Sequence, residues 1–468
     1  MTAKTKNPVD KLWRVIMYPL GSASSNMHNI LFMGFFMVFA TEALKLNPVT
    51  TGLILTGARM LNALMDPIVG TIIDKTETKF GKFRPFLVGG SIIMNISLFM
   101  IFQLSFDIPH NFQLIWVLLF YASWDIGYSM MTTVNKSALA IITKNPKHRP
   151  VSGIAGGVYS TLIQMLLMVG TIPLLTMNGG LGSEAGWRIV STLVIILNLV
   201  LLGLALIAIS AKDKPEFFGV GGQSKEKVKI KDYFAVIKSN RPLQMLMLSA
   251  SSNKLADTVD SAALVYFYMY AVKNVSLQPI VSGFSTPVAL LGAFIAGWVA
   301  IRFGLKKAFV YGAWTNLIIS GLLLLFRPFD FVPVFILLMS LNMLCRRLTA
   351  QNVDPMIADI VDYHAHKTGK FIPGIIASSF SFIDKFISSF AGTIVGVLMG
   401  LAGYSAGAEP TTALFLTSLF IYLGFPILGD LISVIAMKFY KIDKEIYKEM
   451  YGESSEKPAS VLEVEAKA

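Results

Sequence analysis

Apolar runs, each about long enough to cross a lipid bilayer, alternate along this chain with short polar turns. A crossing helix needs ~20 mostly apolar residues, so the pattern predicts helices over 18–41, 48–73, 85–106, 112–142, 152–177 and 187–210. The polar stretch 211–241 breaks the series with Lys225-Glu226-Lys227-Val228-Lys229-Ile230-Lys231, the pattern of a loop with an amphipathic surface helix. Six more helices are predicted over 243–270, 279–302, 307–327, 331–358, 373–402 and 411–438, and the charged tail beyond Gly452 is expected to be disordered. The chain thus reads as an all-α integral membrane protein of about 12 transmembrane helices. Its two six-helix halves, 1–210 and 242–440, are joined by a cytoplasmic loop, 211–241, and followed by a cytoplasmic tail, 441–468.

Composition excludes the soluble classes: 54% of residues are hydrophobic, 15% are charged, and the mean hydropathy is +0.63. The first apolar run is too long for a secretory signal core, so it is expected to remain as a helix. The single cysteine, Cys345, rules out a disulfide framework and a cysteine metal site. His364 and His366 have no convincing third ligand, and neither a nucleophile with a nearby base nor a Walker-type loop is present. Neither a metal, a cofactor nor an enzymatic activity is therefore expected.

Charge gives orientation. Thirty Lys and Arg fall in the N-terminus, the even-numbered loops and the tail, against four in the odd loops: Lys45, Arg188, Lys273 and Arg327. That bias predicts cytoplasmic termini and a multi-pass protein of the plasma membrane. It also accounts for the net charge of +12 without a nucleic-acid partner.

The halves repeat. Ser22-Ala23-Ser24-Ser25-Asn26 recurs as Ser249-Ala250-Ser251-Ser252-Asn253, an offset of 227 that also carries Gly70 onto Gly297. A duplicated six-helix unit is the architecture of the major facilitator fold, in which substrate is held between halves and access alternates.

Two longer motifs carry a family resemblance. Asp66-Pro67-Ile68-Val69-Gly70, Asp74-Lys75 and Gly81-Lys82-Phe83-Arg84-Pro85 follow the second predicted helix, and Ala358-Asp359-Ile360-Val361-Asp362-Tyr363 with Lys367-Thr368-Gly369-Lys370 follow the tenth. Together they resemble the signatures of the glycoside-pentoside-hexuronide cation symporters, a branch of the major facilitator superfamily. The resemblance implies uptake of a small-molecule sugar, glycoside or uronide coupled to sodium, lithium or a proton. A monomer in the bilayer is expected.

Carried over position by position, the family's cation-site carboxylates fall on Asn26, Asn62 and Asp66. Its sugar-binding acid falls on Asp125, with Tyr121 one turn before, and its helix 11 lysine on Lys385. A family tryptophan is replaced by Ser129, and a family arginine is missing near Gly157. Two amides where carboxylates are expected remove two negative charges, which favours a proton over sodium. Asp66 shares a helix face with Asn62 and Arg59, and three readings of it stay open: a proton carrier, an ion pair with Arg59, or a brace of the cytoplasmic gate. An uncoupled facilitator or exchanger, a carrier of another amphipathic solute and a transporter-like sensor are the alternatives.

Other polar positions lie inside apolar runs, where an ionisable group needs a partner, water or a function. Tyr121, Asp125 and Tyr128 share one helix face, an arrangement that could stack on a sugar ring and accept from its hydroxyls. Asn253, Asp257 and Asp260 share another, and Asp257 and Asp260 are candidates for sugar or proton binding, or for a structural pair of Lys254 with Asp257. Of the adjacent pairs Arg346-Arg347 and Asp384-Lys385, one member each can face a cavity, and Arg347 and Lys385 are the expected ones. His28 is expected to be a packing residue. Arg59, Asp74, Lys75, Lys82, Arg84, Asp359 and Asp362 are gate candidates, with Asp74 able to accept from helix N-terminal amides.

Overall fold

The structure, a computed structural model, describes residues 12–76, 78–142, 148–213, 236–368, 373–442 and 446. The predicted surface helix within 211–241 and most of the 441–468 tail lie outside the described residues. Every predicted membrane stretch is helical. The first comprises α1 (Leu12–Met17), α2 (Leu20–Gly34), α3 (Phe36–Val38) and a π-helical turn, Phe39–Ala43. Then come α4 (Pro48–Lys75), α5 (Arg84–Phe102), α6 (His110–Ile142), α7 (His148–Met177) and α8 (Glu184–Ile209). The later helices are α9 (Arg241–Tyr266) with a π turn at Phe267–Ala271, α10 (Leu277–Phe303), α11 (Leu305–Phe326), α12 (Val332–Ala350) and α13 (Val353–Thr368). Last are α14 (Pro373–Ser389), α15 (Ala391–Leu401), α16 (Thr412–Leu419), a π turn at Phe420–Gly424 and α17 (Phe425–Lys438).

Local chemistry starts these helices. Asn47 caps α4, its side chain accepting from the amides of Val49 and Thr50 at 2.9 and 3.4 Å, with Pro48 in the first turn where its missing N–H costs nothing. Asn240 caps α9 in the same way, accepting from Leu243 at 3.1 Å ahead of Pro242. Among the described residues, nine helices are long and apolar enough to cross a membrane. α9, at 26 residues, is long enough but is made too polar by Lys254, Asp257 and Asp260.

The chain packs as two compact units. One comprises Met1–Gln223, Tyr268–Ser282 and Gly392–Leu414, and the other Ser224–Phe267, Gly283–Ala391 and Phe415–Ala468. The first is centred on aromatic side chains: Phe32, Phe36, Phe39, Phe102, Tyr121, Trp124 and Trp187 are fully buried and touch one another edge to face or stacked. The second buries Leu243, Leu246, Phe309, Met356, Ile360, Ile376 and Phe380 around the start of α9. Large apolar side chains such as Met177, Phe294, Leu325 and Leu401 are exposed, as lipid-facing positions of a membrane protein must be.

The internal repeat extends well beyond the five matched residues. The π turns Phe39–Ala43 and Phe267–Ala271 are 228 residues apart, and each is followed by a lysine in the left-handed region, Lys45 at φ 56° and Lys273 at φ 58°. The closing bond from Leu46 N–H to the Ala40 carbonyl has its counterpart from Asn274 N–H to Tyr268, both 2.9 Å. Further along, Gly90 lies against Gly127 where α5 crosses α6, and Gly312 lies against Thr349 where α11 crosses α12, an offset of 222 for both members.

Candidate functional site

In the first unit, α6 presents the predicted sugar-binding face. Asp125 is buried, with 4% exposure, and Tyr121 is fully buried. Tyr121 meets Phe32 and Phe36 edge-on at centroid distances of 5.2 and 4.9 Å, and Trp124 stacks on Phe32 at 4.1 Å and on Tyr128 at 5.4 Å. Trp124 is thus the hub of this wall, joining the Tyr128 ring to the aromatic core. Arg59 touches the sulfur of Met33 and acts electrostatically on the Tyr121 hydroxyl, as does Asp125. The structure therefore brings Arg59, grouped with the gate by sequence, to the Tyr121–Asp125 pair.

Asn26 is half-buried on α2. Asn62, Asp66, Asp74 and Lys75 are carried on α4, but their side chains lie outside the described residues. His28 is buried beside Asn95. Asn95 belongs to a polar bridge across the unit: its Nδ2 donates to Oδ1 of Asn198 at 2.8 Å, Ser91 Oγ donates to the same atom at 2.8 Å, and Asn198 Nδ2 donates to the Ser24 carbonyl at 3.0 Å.

At the motif after α4, sequence reasoning missed the central residue. Asp213, fully buried beyond the end of α8, accepts from the amides of Lys82 at 2.8 Å, Phe83 at 3.1 Å and Arg84 at 2.8 Å. It also pairs with the Arg84 guanidinium at 3.4 Å. These amides open α5, where a negative charge is favoured by the helix dipole. Gly81, at φ +105°, is required here because a Cβ would collide with the Asp213 carboxylate. Asp213, whose sequence signal was only an acid beside Lys212 at the end of an apolar run, thus holds the amides that open α5.

In the second unit, a cavity of about 580 Å³ is lined by Asn253, Lys254 and Asp257 of α9, Thr349 of α12, Asp354 of α13, and Ser381 and Asp384 of α14, among others. Arg346 stands beside it. One guanidinium nitrogen, NH1, donates to Asp257 Oδ1 at 3.1 Å and to Asp260 Oδ2 at 2.9 Å. The Asp257 side chain is 45% exposed, while Asp260 and Arg346 are 14% and 16% exposed. Of the two readings of Asp257, the pair with Lys254 is not the ion pair formed here, and Lys254 acts on Asp384. Of the two adjacent pairs, Arg346 meets the α9 carboxylates and Asp384 lines this cavity. Lys385 and Arg347 are half-buried. Asp359 and Asp362 sit one turn apart on α13, acting on each other, with Tyr440 within electrostatic reach of Asp359.

A wall of carboxylates, an ammonium and hydroxyls, with Phe309 and Phe380 beside them, can accept from and donate to the hydroxyls of a polyhydroxylated solute. A family described as MFS/sugar transport protein matches residues 17–444. An isoprimeverose transporter of Lactiplantibacillus pentosus is 27% identical over 91% of this chain and 88% of its own. A glucuronide carrier protein homolog of Escherichia coli (strain K12) is 25% identical over 94% of this chain and 95% of its own. Among solved structures, the nucleoside transporter NupG superimposes with a TM-score of 0.59 at 14% identity, covering 92% of this chain and all of that one, a likeness of fold.

Proposed function

Because the chain belongs to the MFS/sugar transport protein family, multi-pass transporters of the cell membrane rather than enzymes, we propose that it is a proton-coupled symporter of a sugar, glycoside or uronide working by alternating access. The observation that carries this reading is the alignment of an isoprimeverose transporter and a glucuronide carrier homolog over about nine-tenths of the chain. On that reading Asp125, Tyr121, Tyr128 and Arg59 are the sugar-binding candidates of the first unit, and Asp257, Asp384 and Lys254 those of the second. Proton coupling follows from charge: Asn26 and Asn62 supply oxygens but no negative charge where a sodium cage would use carboxylates, so Asp66 alone would have to balance the ion. Twelve spans with cytoplasmic termini belong to the same proposal, supported by the helicity of every predicted stretch and by the distribution of Lys and Arg.

The test is uptake of labelled isoprimeverose, lactose and methyl β-glucuronide into vesicles containing the protein, with proton and sodium gradients imposed separately at fixed membrane potential. Accumulation of at least one of these driven by the proton gradient is the expected result. Stimulation by sodium alone would overturn proton coupling. Equilibration without accumulation under either gradient would instead identify an uncoupled facilitator.

A further inference from the structure

Each unit contains a buried polar bridge, between α5 and α8 in the first and between α11 and α17 in the second. In the first unit, Asn95 of α5 donates to Asn198 of α8. In the second, Asn316 Nδ2 of α11 donates to Asp430 Oδ2 of α17 at 2.6 Å, and Asn342 Nδ2 donates to Asn316 Oδ1 at 2.9 Å and Ser320 Oγ at 2.8 Å. The two bridges join corresponding pairs of helices, α5 with α8 and α11 with α17, so Asp430 receives the Asn316 amide as Asn198 receives that of Asn95. A neutral amide makes this bridge in the first unit. Joining the helices therefore does not require a carboxylate, and Asp430, at 3% exposure, is a charge placed where burial costs several kcal/mol unless it is compensated.

Compensation is short by one charge. Arg346 acts on Asp430 electrostatically while its NH1 is shared by Asp257 and Asp260. Asp257 opens to the cavity, where water can solvate it, but Asp260 is buried against the guanidinium and Asp430 is buried within its electrostatic reach. The titratable and charged groups acting on this cluster are Asp257 and Asp260 from α9, Arg346 and the Cys345 thiol from α12, and Tyr422 from the π turn before α17. α11 contributes the neutral Asn316. Independently, Asp260 Oδ1 and Arg346 Nε are buried without a hydrogen-bond partner in the described structure, so the cluster is left with polar capacity unused.

We infer that Asp430, together with Asp260 and Arg346, forms a proton-coupling site in the second unit, with Asp257 connecting it to the sugar cavity. This rests on the reading of the protein as a proton-coupled sugar transporter. A sugar whose hydroxyls accept from Arg346 draws the guanidinium toward the cavity. The buried carboxylates then lose compensation, and one of them takes a proton onto a carboxyl oxygen. Release of the sugar returns Arg346 to the pair and expels the proton to the same side. Sugar and proton therefore favour each other's binding, which symport demands.

Proteoliposomes of the full chain test this with Asp430→Asn, which preserves an acceptor for Asn316 and reproduces the amide that the first unit uses. The probes are isoprimeverose, lactose and methyl β-glucuronide. D430N is expected to exchange the transported probe in counterflow near the wild-type rate, while the accumulation driven by an inward proton gradient falls about tenfold or more. The alkalinisation that the probe causes in a weakly buffered solution of wild-type protein should disappear in D430N. Asp260→Asn, which leaves the Asn316 bridge intact, is the second variant and should lose the same coupling. Wild-type accumulation by either variant overturns the assignment. A wild type that responds to sodium alone, or to neither gradient, fails the underlying reading instead.

Discussion

Asp213 shows how a single buried carboxylate can organise a loop that sequence patterns describe only as a motif. Its two oxygens take three backbone amides and one guanidinium, so nothing in the Gly81–Arg84 turn needs Asp74 for its N–H groups. Replacing Asp213 with Ala would orphan three buried or half-buried donors and remove the counter-charge of Arg84. A loss of about 2–4 kcal/mol is expected from cap and buried-pair magnitudes. Thermal unfolding of purified D213A should show a clearly lower midpoint than wild type, with D213N falling between because its one carbonyl oxygen can still accept. A D213A midpoint equal to the wild-type value would mean that the turn is held by its own Thr78–Gly81 bond.

Residue-level reading of the sequence was good at finding polar faces and poor at finding their partners. Asp257 and Asp260, three apart, were legible as one face because helical spacing fixes it. Their partner was not, since adjacent residues on a helix differ by ~100° and only the packing of α12 decides whether Arg346 or Arg347 turns toward α9. The same holds for Asp384 and Lys385. Spacing alone did not show that Asp384 lines the cavity of the second unit.

At the scale of elements, α4 and α15 approach closely within the first unit. A Cβ on Gly52 would strike the Gly392 carbonyl, one on Gly396 would strike the Pro48 carbonyl, and one on Gly400 would sit 2.7 Å from Val49. Thr56 and Thr393 add a hydroxyl pair at 2.6 Å, and Tyr404 donates to Glu42 at 2.6 Å. Small residues let helix backbones meet where apolar burial gives no preference over lipid. Gly396→Val must therefore push the helices apart, at a cost of about 1–3 kcal/mol or more. Gly57→Ala, with nothing nearby to strike, should be neutral. Unfolding midpoints of the two variants separate these outcomes, and equal midpoints would show that the seam yields freely. Most helix boundaries were legible to within a few residues because apolar length marks them, but the predicted 331–358 helix is broken into α12 and α13, and α13 runs on to Thr368. The π turns were not, since an extra residue in a helical turn leaves no mark on apolar periodicity.

For the whole molecule, the internal repeat proved to be the deepest feature visible in the sequence. Five matched residues in α2 and α9 led to paired π turns, paired left-handed lysines and paired glycine crossings. Lys45 and Lys273 stand just past helix C-termini, where a cation meets the negative end of the dipole, which offsets part of the cost of a left-handed non-glycine residue. They are also two of the four cations assigned to the outer face, so the orientation proposal can be tested on them. In a Cys345→Ser background, Lys45→Cys and Lys273→Cys should react with a membrane-impermeant maleimide on intact cells, while Lys79→Cys and Lys367→Cys should react only after permeabilisation. Lys79 and Lys367 follow α4 and lie near the end of α13, on the exposed signature segments predicted to be cytoplasmic. The reverse labelling would invert the topology. Labelling of Lys45→Cys and Lys273→Cys from opposite faces would place an odd number of spans between them and break the six-plus-six arrangement that the repeat implies.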